Sequence, residues 1–411
     1  MINIKNITVK SILIFSISLA YVFWGTGYEI PVLNLPPSII FIGLILITLI
    51  IIKDRPIPKK DSLILLTYFG VITIMSLVSL PTLMNSDRYY TDLVYLLEYD
   101  LKMLIGMLSI FAFSRLFTSE DDIKFFSLIV CITLSPLIYI LFYRYIVLWG
   151  MPYMGVEFGS PEKIGKNSFA MAIVLISPYL IINFNKGLFY KATCIFALLA
   201  LSLSLYGIDS RAMIITMLFQ LLIFLYVSGR RKILGTISAV FFLGIIYAGI
   251  SVENFLVKRN ADEEVNMEMV INILGNSHRG RLTKYAIEGT IDSYFMGNGI
   301  ATYKYKQAGI VSGLRGTASR TESHNDILTV IFEQGAIGFF VLTYFFYHRF
   351  SLTHKLYIKT RDPTVLATLI SLYGIVVSMI FANFISSMVF WIIIGLNVAI
   401  SNMTAKKYLM E

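Results

Sequence analysis

Apolar runs long enough to cross a membrane recur along the whole chain, and they limit the folds that it can adopt. Hydrophobic residues make up 57% of the 411 residues and charged residues only 14%, which is too apolar for a soluble domain. Because a spanning helix needs roughly 20 mostly apolar residues, we predict an all-α, polytopic membrane protein, with residues 1–411 forming a single membrane domain. About twelve spans are predicted, at 9–26, 36–52, 62–80, 99–117, 125–148, 167–185, 191–208, 211–228, 233–251, 326–347, 363–382 and 385–402.

The distribution of Lys and Arg predicts how these spans are oriented. Most of these residues lie in the short segments that share a side with the N-terminus, so the positive-inside rule predicts that both termini are cytoplasmic. This orientation accounts for the formal net charge of +9, and no nucleic-acid partner is predicted. His348 and His354 lie beside Arg349, Lys355 and Lys359 in a predicted inner loop, where a topogenic or solvated role is expected.

One long stretch, Leu274 to Gly338, is too polar to lie in lipid. Most of it belongs to a segment at 252–325, between the ninth and tenth predicted spans, which the predicted orientation makes a large periplasmic loop. The segment is rich in Lys and Arg, and a cationic loop suits an anionic, phosphate-bearing substrate. A solvated connecting loop is the alternative. We expect the loop to carry part of an active site.

The loop has predicted elements of its own. Arg281 to Ile291 has the apolar spacing of an amphipathic helix, with Leu282 and Ala286 on one side. The sequence MGNG at 296–299 predicts a turn, because Asn-Gly tolerates positive φ. A helix that returns to the membrane is predicted to start near Asp326, capped by Ser323 or Asn325.

Two histidines, His278 and His324, lie on the predicted outer side. His324 is the better candidate for a general base, because it stands among polar residues at a helix start and its imidazole titrates near neutral pH. Glu322 is a rival for that role. Arg211 stands at a break between two apolar runs, where it is either an interfacial anchor or a substrate contact.

Arg279 and Arg281 are candidate ligands for a pyrophosphate, because the guanidinium fork binds two oxygens at once. On a helix their side chains would point in different directions. Cys131 and Cys194 lie inside apolar runs, so no disulfide is predicted. Two histidines without a spaced carboxylate cluster do not predict a metal site, and the sequence has no P-loop, dinucleotide fingerprint or HExxH motif.

Taken in order, these features resemble one known family, the bacterial O-antigen ligase and O-antigen polymerase family. The resemblance covers about 201–347. Its motifs are Ser210-Arg211 after a span, Arg281 followed by Tyr285, Gly297 and Gly299, and Ser323-His324-Asn325 followed by Glu333, Gly335 and Gly338.

The resemblance implies an enzyme of the bacterial inner membrane with its active site on the periplasmic side. Such enzymes transfer glycans linked to undecaprenyl pyrophosphate and need no metal or nucleotide sugar, so no cofactor is expected. Membrane lipid and a chain-length regulator protein are the further partners implied. The roles implied are pyrophosphate binding by Arg211, Arg281 and Arg279, activation of the acceptor hydroxyl by His324, and support by Asn325, Glu322, Tyr285 and Glu333.

Three functions are compatible with these sequence features. Ligases of this family often carry a second histidine two residues before the His-Asn pair, where this chain has Glu322. That difference favours a polymerase of O-antigen or capsule-like repeat units over a ligase that transfers glycan to lipid A core. A flippase for the same lipid-linked oligosaccharide is the alternative from another class. The large outer loop favours an enzyme, and neither the internal symmetry nor the paired broken spans of many transporters is visible.

Overall fold

The computed structural model describes residues 8–26, 37–52, 58–85, 89–148, 166–184, 187–208, 210–229, 278–303, 325–381, 385 and 387–408. Within these ranges the regular structure is helical, which confirms the predicted all-α class. The helices are α1 (Val9–Thr26), α2 (Pro37–Ile51), α3 (Lys59–Met84), α4 (Tyr89–Leu116), α5 (Glu120–Phe142, followed by a π-helical turn at Tyr143–Leu148), α6 (Lys166–Leu180), α7 (Leu188–Ile208), α8 (Arg211–Val227), α9 (His278–Asp292), α10 (Asp326–Thr360), α11 (Pro363–Phe381) and α12 (Met388–Tyr408).

The helices follow the apolar runs of the sequence. Among the described residues, a helix covers most of every predicted span except 233–251, which lies outside them. Five stretches of these helices are long and apolar enough to cross a membrane: Lys59–Met84, Glu120–Leu148, Asp326–Thr360, Pro363–Phe381 and Val389–Tyr408. Shorter apolar helices lie in α1, α2, α6, α7 and α8. The protein is therefore a multi-pass membrane protein, and the count of twelve spans stays a prediction.

Helix ends that the sequence places on the cytoplasmic side meet at one end of the bundle. Lys10 in α1 pairs with Asp122 in α5, and Lys407 in α12 pairs with Glu120, also in α5. Arg115 near the end of α4 donates hydrogen bonds to two carbonyls at the end of α2. The starts of α1 and α5 therefore meet the ends of α2, α4 and α12 here. We call this the basic end.

The opposite end of the bundle, which we call the loop end, carries α9. This helix packs on α10 near Phe332, in the first third of α10. The last turn of α8, in contrast, lines a groove with His354 and Tyr357, close to the other end of α10. Gly229, just after α8, and helix α9 therefore lie at opposite ends. The assignment of the loop end to the periplasm stays a prediction.

Helix α12 lies at the centre of the packing. It contacts α4, α6, α10 and α11, and nearly all residues of its first half are buried. The ring of Trp391 lies so close to Gly106 in α4 that a Cβ there would be 2.2 Å from the indole. Glycine at this position allows the two helix backbones to approach closely.

The prediction that His348 and Arg349 lie in an inner loop is wrong. Helix α10 continues through both residues to Thr360. Arg349 is fully buried, and its guanidinium donates to Asp61 Oδ2 at 2.9 Å and to Asn397 Oδ1 at 2.8 Å. His348 Nε2 lies 3.5 Å from Asp61 Oδ1. His354 is half-buried in the same helix.

The physical reason for the longer helix is a partner that is far away in sequence. A buried guanidinium is tolerated only when its charge and its N–H groups are matched. Asp61 in α3 supplies the charge, and Asn397 in α12 supplies both a side-chain and a backbone oxygen. The Asp61–Arg349 pair therefore joins α3, α10 and α12 inside the bundle.

We predict that Arg349→Met strongly destabilises the protein, by about 3–5 kcal/mol, because Asp61 would be left as an unpaired buried charge. Combining it with Asp61→Leu should recover much of this loss, since an apolar replacement of both partners is often nearly neutral. Thermal unfolding of the purified protein in detergent measures both effects.

Lys102→Met provides the matched control for this experiment. Lys102 pairs with Glu98 on the exposed side of α4, and an exposed pair contributes about 0–1 kcal/mol. If Arg349→Met were no more destabilising than Lys102→Met, the buried pair would not hold the helices together as described.

Candidate active site at the loop end

Helix α9 places basic side chains on a packed support. Leu282 and Ala286 are buried against the protein, whereas Arg281, Lys284 and Glu288 are exposed. The predicted amphipathic helix is thus confirmed, and its charged side is available to a ligand. Lys284 Nζ lies 3.7 Å from Glu288 Oε1, so part of the charge on this side is neutralised, while Arg281 is exposed one turn earlier.

Three aromatic rings join α9 to α10. The rings of Tyr285, Tyr303 and Phe332 lie 5.2 to 5.7 Å apart between centroids, in the range of favourable edge-to-face contacts. Gly289 is required for this packing, since a Cβ there would lie 2.3 Å from the Phe332 ring. The Tyr303 hydroxyl also donates to the Leu282 carbonyl at 2.9 Å. The cluster therefore fixes how far α9 stands from α10.

Helix α10 is broken at Gly335, and the chain after α9 completes its hydrogen bonds. Gly335 has φ 69° and ψ −170°, which is not helical. The Phe332 carbonyl, which would accept from Ala336 in an unbroken helix, accepts instead from the Asn298 N–H at 2.8 Å. The Ala336 N–H donates to the Phe295 carbonyl at 2.8 Å. The turn and the broken helix thus satisfy each other's backbone groups.

The MGNG turn is confirmed, and its glycines explain how it fits. Gly297 and Gly299 have φ values of 92° and 94°, which L residues rarely adopt. A Cβ on Gly297 would lie 2.7 Å from the Gly335 nitrogen, and one on Gly299 would meet Ser79 in α3. The Ile300 N–H also donates to the Met75 carbonyl of α3. The turn is therefore wedged between α3 and α10.

Two polar side chains strengthen this connection. The Asn298 amide donates to the Gly289 carbonyl at 3.0 Å and to the Phe332 carbonyl at 3.1 Å, which links the end of α9 directly to α10. Glu333, which is buried, accepts from the Tyr303 N–H at 3.3 Å. The structure thus places Glu333, one of the predicted supporting residues, in the support of the loop rather than on its exposed side.

The start of α10 is capped as expected. The Asn325 side chain accepts from the Leu328 N–H at 3.0 Å, which confirms it as the N-cap. Asp326 is buried and its carboxylate accepts from the Ile385 N–H at 2.8 Å, which ties the start of α10 to the connection between α11 and α12. His324 and Glu322 lie outside the described residues.

The three predicted pyrophosphate ligands lie in the first turns of two helices, α8 and α9. Arg211 is the first residue of α8, behind the N-cap Ser210, whose side chain accepts from the Met213 N–H. Because α8 ends at the basic end, its first residue, Arg211, lies on the side of the loop end. Arg279 and Arg281 lie on α9. The side chains of Arg211 and Arg279 lie outside the described part of the structure, so their convergence with Arg281 stays a prediction.

Tyr285 is half-buried beside Arg281 on α9. Burial raises the pKa of its phenol to about 12. The hydroxyl therefore stays protonated at neutral pH, where it can donate a hydrogen bond but cannot serve as a base. The supporting role of Tyr285 stays a prediction.

A buried polar cluster beneath the turn was not predicted from the sequence. Tyr68 in α3 lies beside Gln334 in α10, and Tyr99 in α4 is close enough to Tyr68 and Glu333 to interact electrostatically. Among the described residues, the Gln334 amide and both tyrosine hydroxyls form no hydrogen bond of good geometry. No local sequence signal identifies these residues as a polar cluster, because tyrosines in apolar runs are typical of a core. The three helices that bring them together are also distant in sequence.

Together the fold and the site define a class: a multi-pass, all-helical membrane protein in which a basic helix from one loop is mounted on a broken span. Residues 196–343, from α7 to the middle of α10, match the family model described as O-antigen ligase. The resemblance predicted from the sequence is therefore confirmed for this segment. Comparison with curated proteins gives no match.

We predict that Gly335→Ala loosens α9 from α10. Its Cβ would lie 2.5 Å from the Met296 carbonyl carbon, and a positive φ strains any residue with a side chain, by on the order of 1–3 kcal/mol. Hydrogen exchange of the α9 amides should therefore accelerate. This measurement can be made without knowledge of the substrate.

Gly70→Ala in α3 is the control, because a Cβ there meets nothing within 4 Å. An alanine in a helix is favoured over glycine by roughly 0.5–1 kcal/mol, so exchange in α9 should stay unchanged. Equal protection of α9 in Gly335→Ala and in the unmodified protein would contradict the described interlock.

Proposed function

We propose that the protein is a metal-independent glycosyltransferase that polymerises O-antigen or capsule-like repeat units. The donor is the growing glycan on undecaprenyl pyrophosphate, and the acceptor is the non-reducing sugar of a second lipid-linked unit. The acceptor oxygen forms a bond to the anomeric carbon of the donor while the bond from that carbon to the pyrophosphate breaks. The acceptor proton passes to a base, and undecaprenyl pyrophosphate leaves as an anion.

The observation that carries this proposal is the mounting of Arg281 within the segment that matches the family. Arg281 is exposed on α9. Helix α9 is held to α10 by the ring contact of Tyr285 with Phe332 and by the Asn298 amide, which bonds to both helices. A leaving pyrophosphate gains charge as its bond breaks, and fixed cationic donors stabilise such charge without reorganising. Arg211 and Arg279 are proposed to complete this site.

His324 is proposed as the base that takes the acceptor proton. Sugar hydroxyls are far too weakly acidic to ionise at neutral pH, so a positioned proton acceptor is valuable. His324 directly precedes Asn325, which caps α10, and the positive end of a helix dipole disfavours a charged imidazolium. Glu322 is the rival base in the same segment.

A ligase that transfers the glycan to lipid A core is the second candidate. It is favoured by the description of the matching family itself, O-antigen ligase. We prefer a polymerase because Glu322 stands where ligases of this family often have a second histidine. The two activities share the donor and the arginine site, and they differ only in the acceptor.

Deletion of the gene should separate these candidates. Loss of a polymerase should leave surface lipopolysaccharide that carries a single repeat unit, because ligation continues without polymerisation. Gel analysis of the lipopolysaccharide measures this directly. A core without any repeat units, with long chains accumulating on undecaprenyl pyrophosphate, would identify a ligase instead and contradict the proposal.

Purified variants should separate the proposed roles of His324 and Arg281. His324→Ala should lose about 10²–10⁴ in turnover while it still binds the lipid-linked donor. Arg281→Lys should weaken donor binding nearly as much as Arg281→Ala, because an ammonium keeps the charge but loses the bidentate fork. Turnover and donor binding are measured separately on protein in lipid nanodiscs.

Lys284→Gln is the matched control, since Lys284 is exposed on the same helix and already faces Glu288. Its binding should change little. Equal losses for Lys284→Gln and Arg281→Lys would indicate general electrostatic attraction and argue against a defined pyrophosphate site. Near-normal turnover of His324→Ala would pass the base role to Glu322 or another carboxylate.

A further inference from the structure

A strip of large apolar side chains is exposed on α9 and on the turn that follows it. The exposed fractions are 46% for Ile287, 55% for Ile291, 86% for Tyr294, 53% for Phe295 and 69% for Met296. We call these five residues the apolar strip. Single exposed apolar residues are ordinary, but contiguous patches mark contact surfaces.

The apolar strip is distinct from the side of α9 that faces the protein. Leu282 and Ala286 are buried against α10, and the exposed Ile287 and Ile291 are one helical turn apart on another side. At about 100° per residue, Ile287 lies about 60° and Ile291 about 20° around the helix from Lys284. Helix α9 thus has a packed side, an exposed apolar side, and a charged side with Arg281 and Glu288, and Lys284 stands at the border between the last two.

The backbone of the turn holds two rings outward under strain. Tyr294 and Phe295 have φ values of 51° and 60°, a left-handed conformation that is unfavourable for bulky residues. The hydrogen bond from the Ala336 N–H to the Phe295 carbonyl helps to maintain it. Strained residues of this kind are concentrated at functional sites, and here the strain directs apolar rings away from the core.

The strip adjoins two helices that also expose apolar side chains. The turn is bonded to Met75 of α3 and to Ala336 of α10. Next to these residues, Ile74 and Leu77 on α3 and Ile337 on α10 are each 61% exposed, on helices that are long and apolar enough to cross a membrane. Exposed apolar side chains on such helices face lipid. The strip therefore continues the lipid-facing surface of α3 and α10 at the loop end.

We propose that α9 and its turn lie in the membrane interface, with the apolar strip inserted in the adjacent leaflet. An amphipathic helix with this division of sides lies in the plane of the interface, its apolar side buried and its cations level with the lipid phosphates. Arg281 occupies the charged side, and Lys284 stands at its border. Under the proposed function, Arg281 then lies at the depth of a lipid-borne pyrophosphate; that consequence rests on the proposed function, whereas the membrane contact does not.

Site-directed spin labelling tests the contact without reference to activity. Single cysteines at Ile291, Tyr294 and Met296 are introduced in a Cys131→Ala, Cys194→Ala background, and the protein is reconstituted in vesicles of phosphatidylethanolamine and phosphatidylglycerol. Collisions with oxygen report lipid, and collisions with a water-soluble nickel chelate report water. Labels at the three positions should collide more with oxygen than with nickel, as should a reference label at Phe340 on α10.

The matched control is a label at Glu288, on the charged side of the same helix, which should be more accessible to nickel. If the strip labels were as accessible to nickel as Glu288, the strip would project into water and the proposal would be overturned. If they were shielded from both reagents, another part of the chain or a second copy would cover the strip, and the proposal would again be wrong.

Discussion

The break in α10 at Gly335 is the constraint on which the loop end depends. A break inside a helix leaves carbonyl and amide groups without their usual partners, and buried backbone groups cannot remain unpaired without a large cost. The turn after α9 supplies these partners, through the N–H groups of Asn298 and Gly299 and the carbonyl of Phe295. Because each element satisfies the backbone hydrogen bonds of the other, neither conformation is favourable alone. The sequences of the turn and of the helix break must therefore be compatible with each other.

This dependence explains how a small element can hold a defined position. Among the described residues, the buried cluster beneath α9 contains Ala286, Tyr303 and Phe332, with Tyr285 and Leu328 packed against it, which is a small apolar surface for orienting a helix. Directional hydrogen bonds and the close approaches at Gly289, Gly297 and Gly335 supply the orientation instead. A catalytic cation benefits from such a mount, because charge stabilisation that needs no rearrangement is the most effective.

Local features of this protein could be predicted from the sequence, and non-local ones could not. The apolar runs, the amphipathic α9, the positive φ of the MGNG turn and the Asn325 cap depend on neighbouring residues, and all are confirmed within the described ranges. The length of α10 depends on Asp61, which lies 288 residues before Arg349. The cluster of Tyr68, Tyr99 and Gln334 likewise exists only after three distant helices pack. From the neighbouring residues alone, the adjacent His348 and Arg349 are typical of a loop, which is why the length of α10 was not predicted.

Helix α3 contacts α10 at two separated levels, and this limits which parts of the site can move. Asp61 pairs with Arg349, while Met75, about 21 Å further along the helix, accepts a hydrogen bond from the turn that completes the break. Two contacts at that separation define the position of α10 along α3, and α9 is attached to α10 directly and to α3 through the turn. The backbone position of Arg281 is therefore fixed relative to both helices by these contacts. Under the proposed function, a lipid-linked donor would therefore reach Arg281 by diffusing within the leaflet, which is the arrangement that the proposed interfacial α9 would provide.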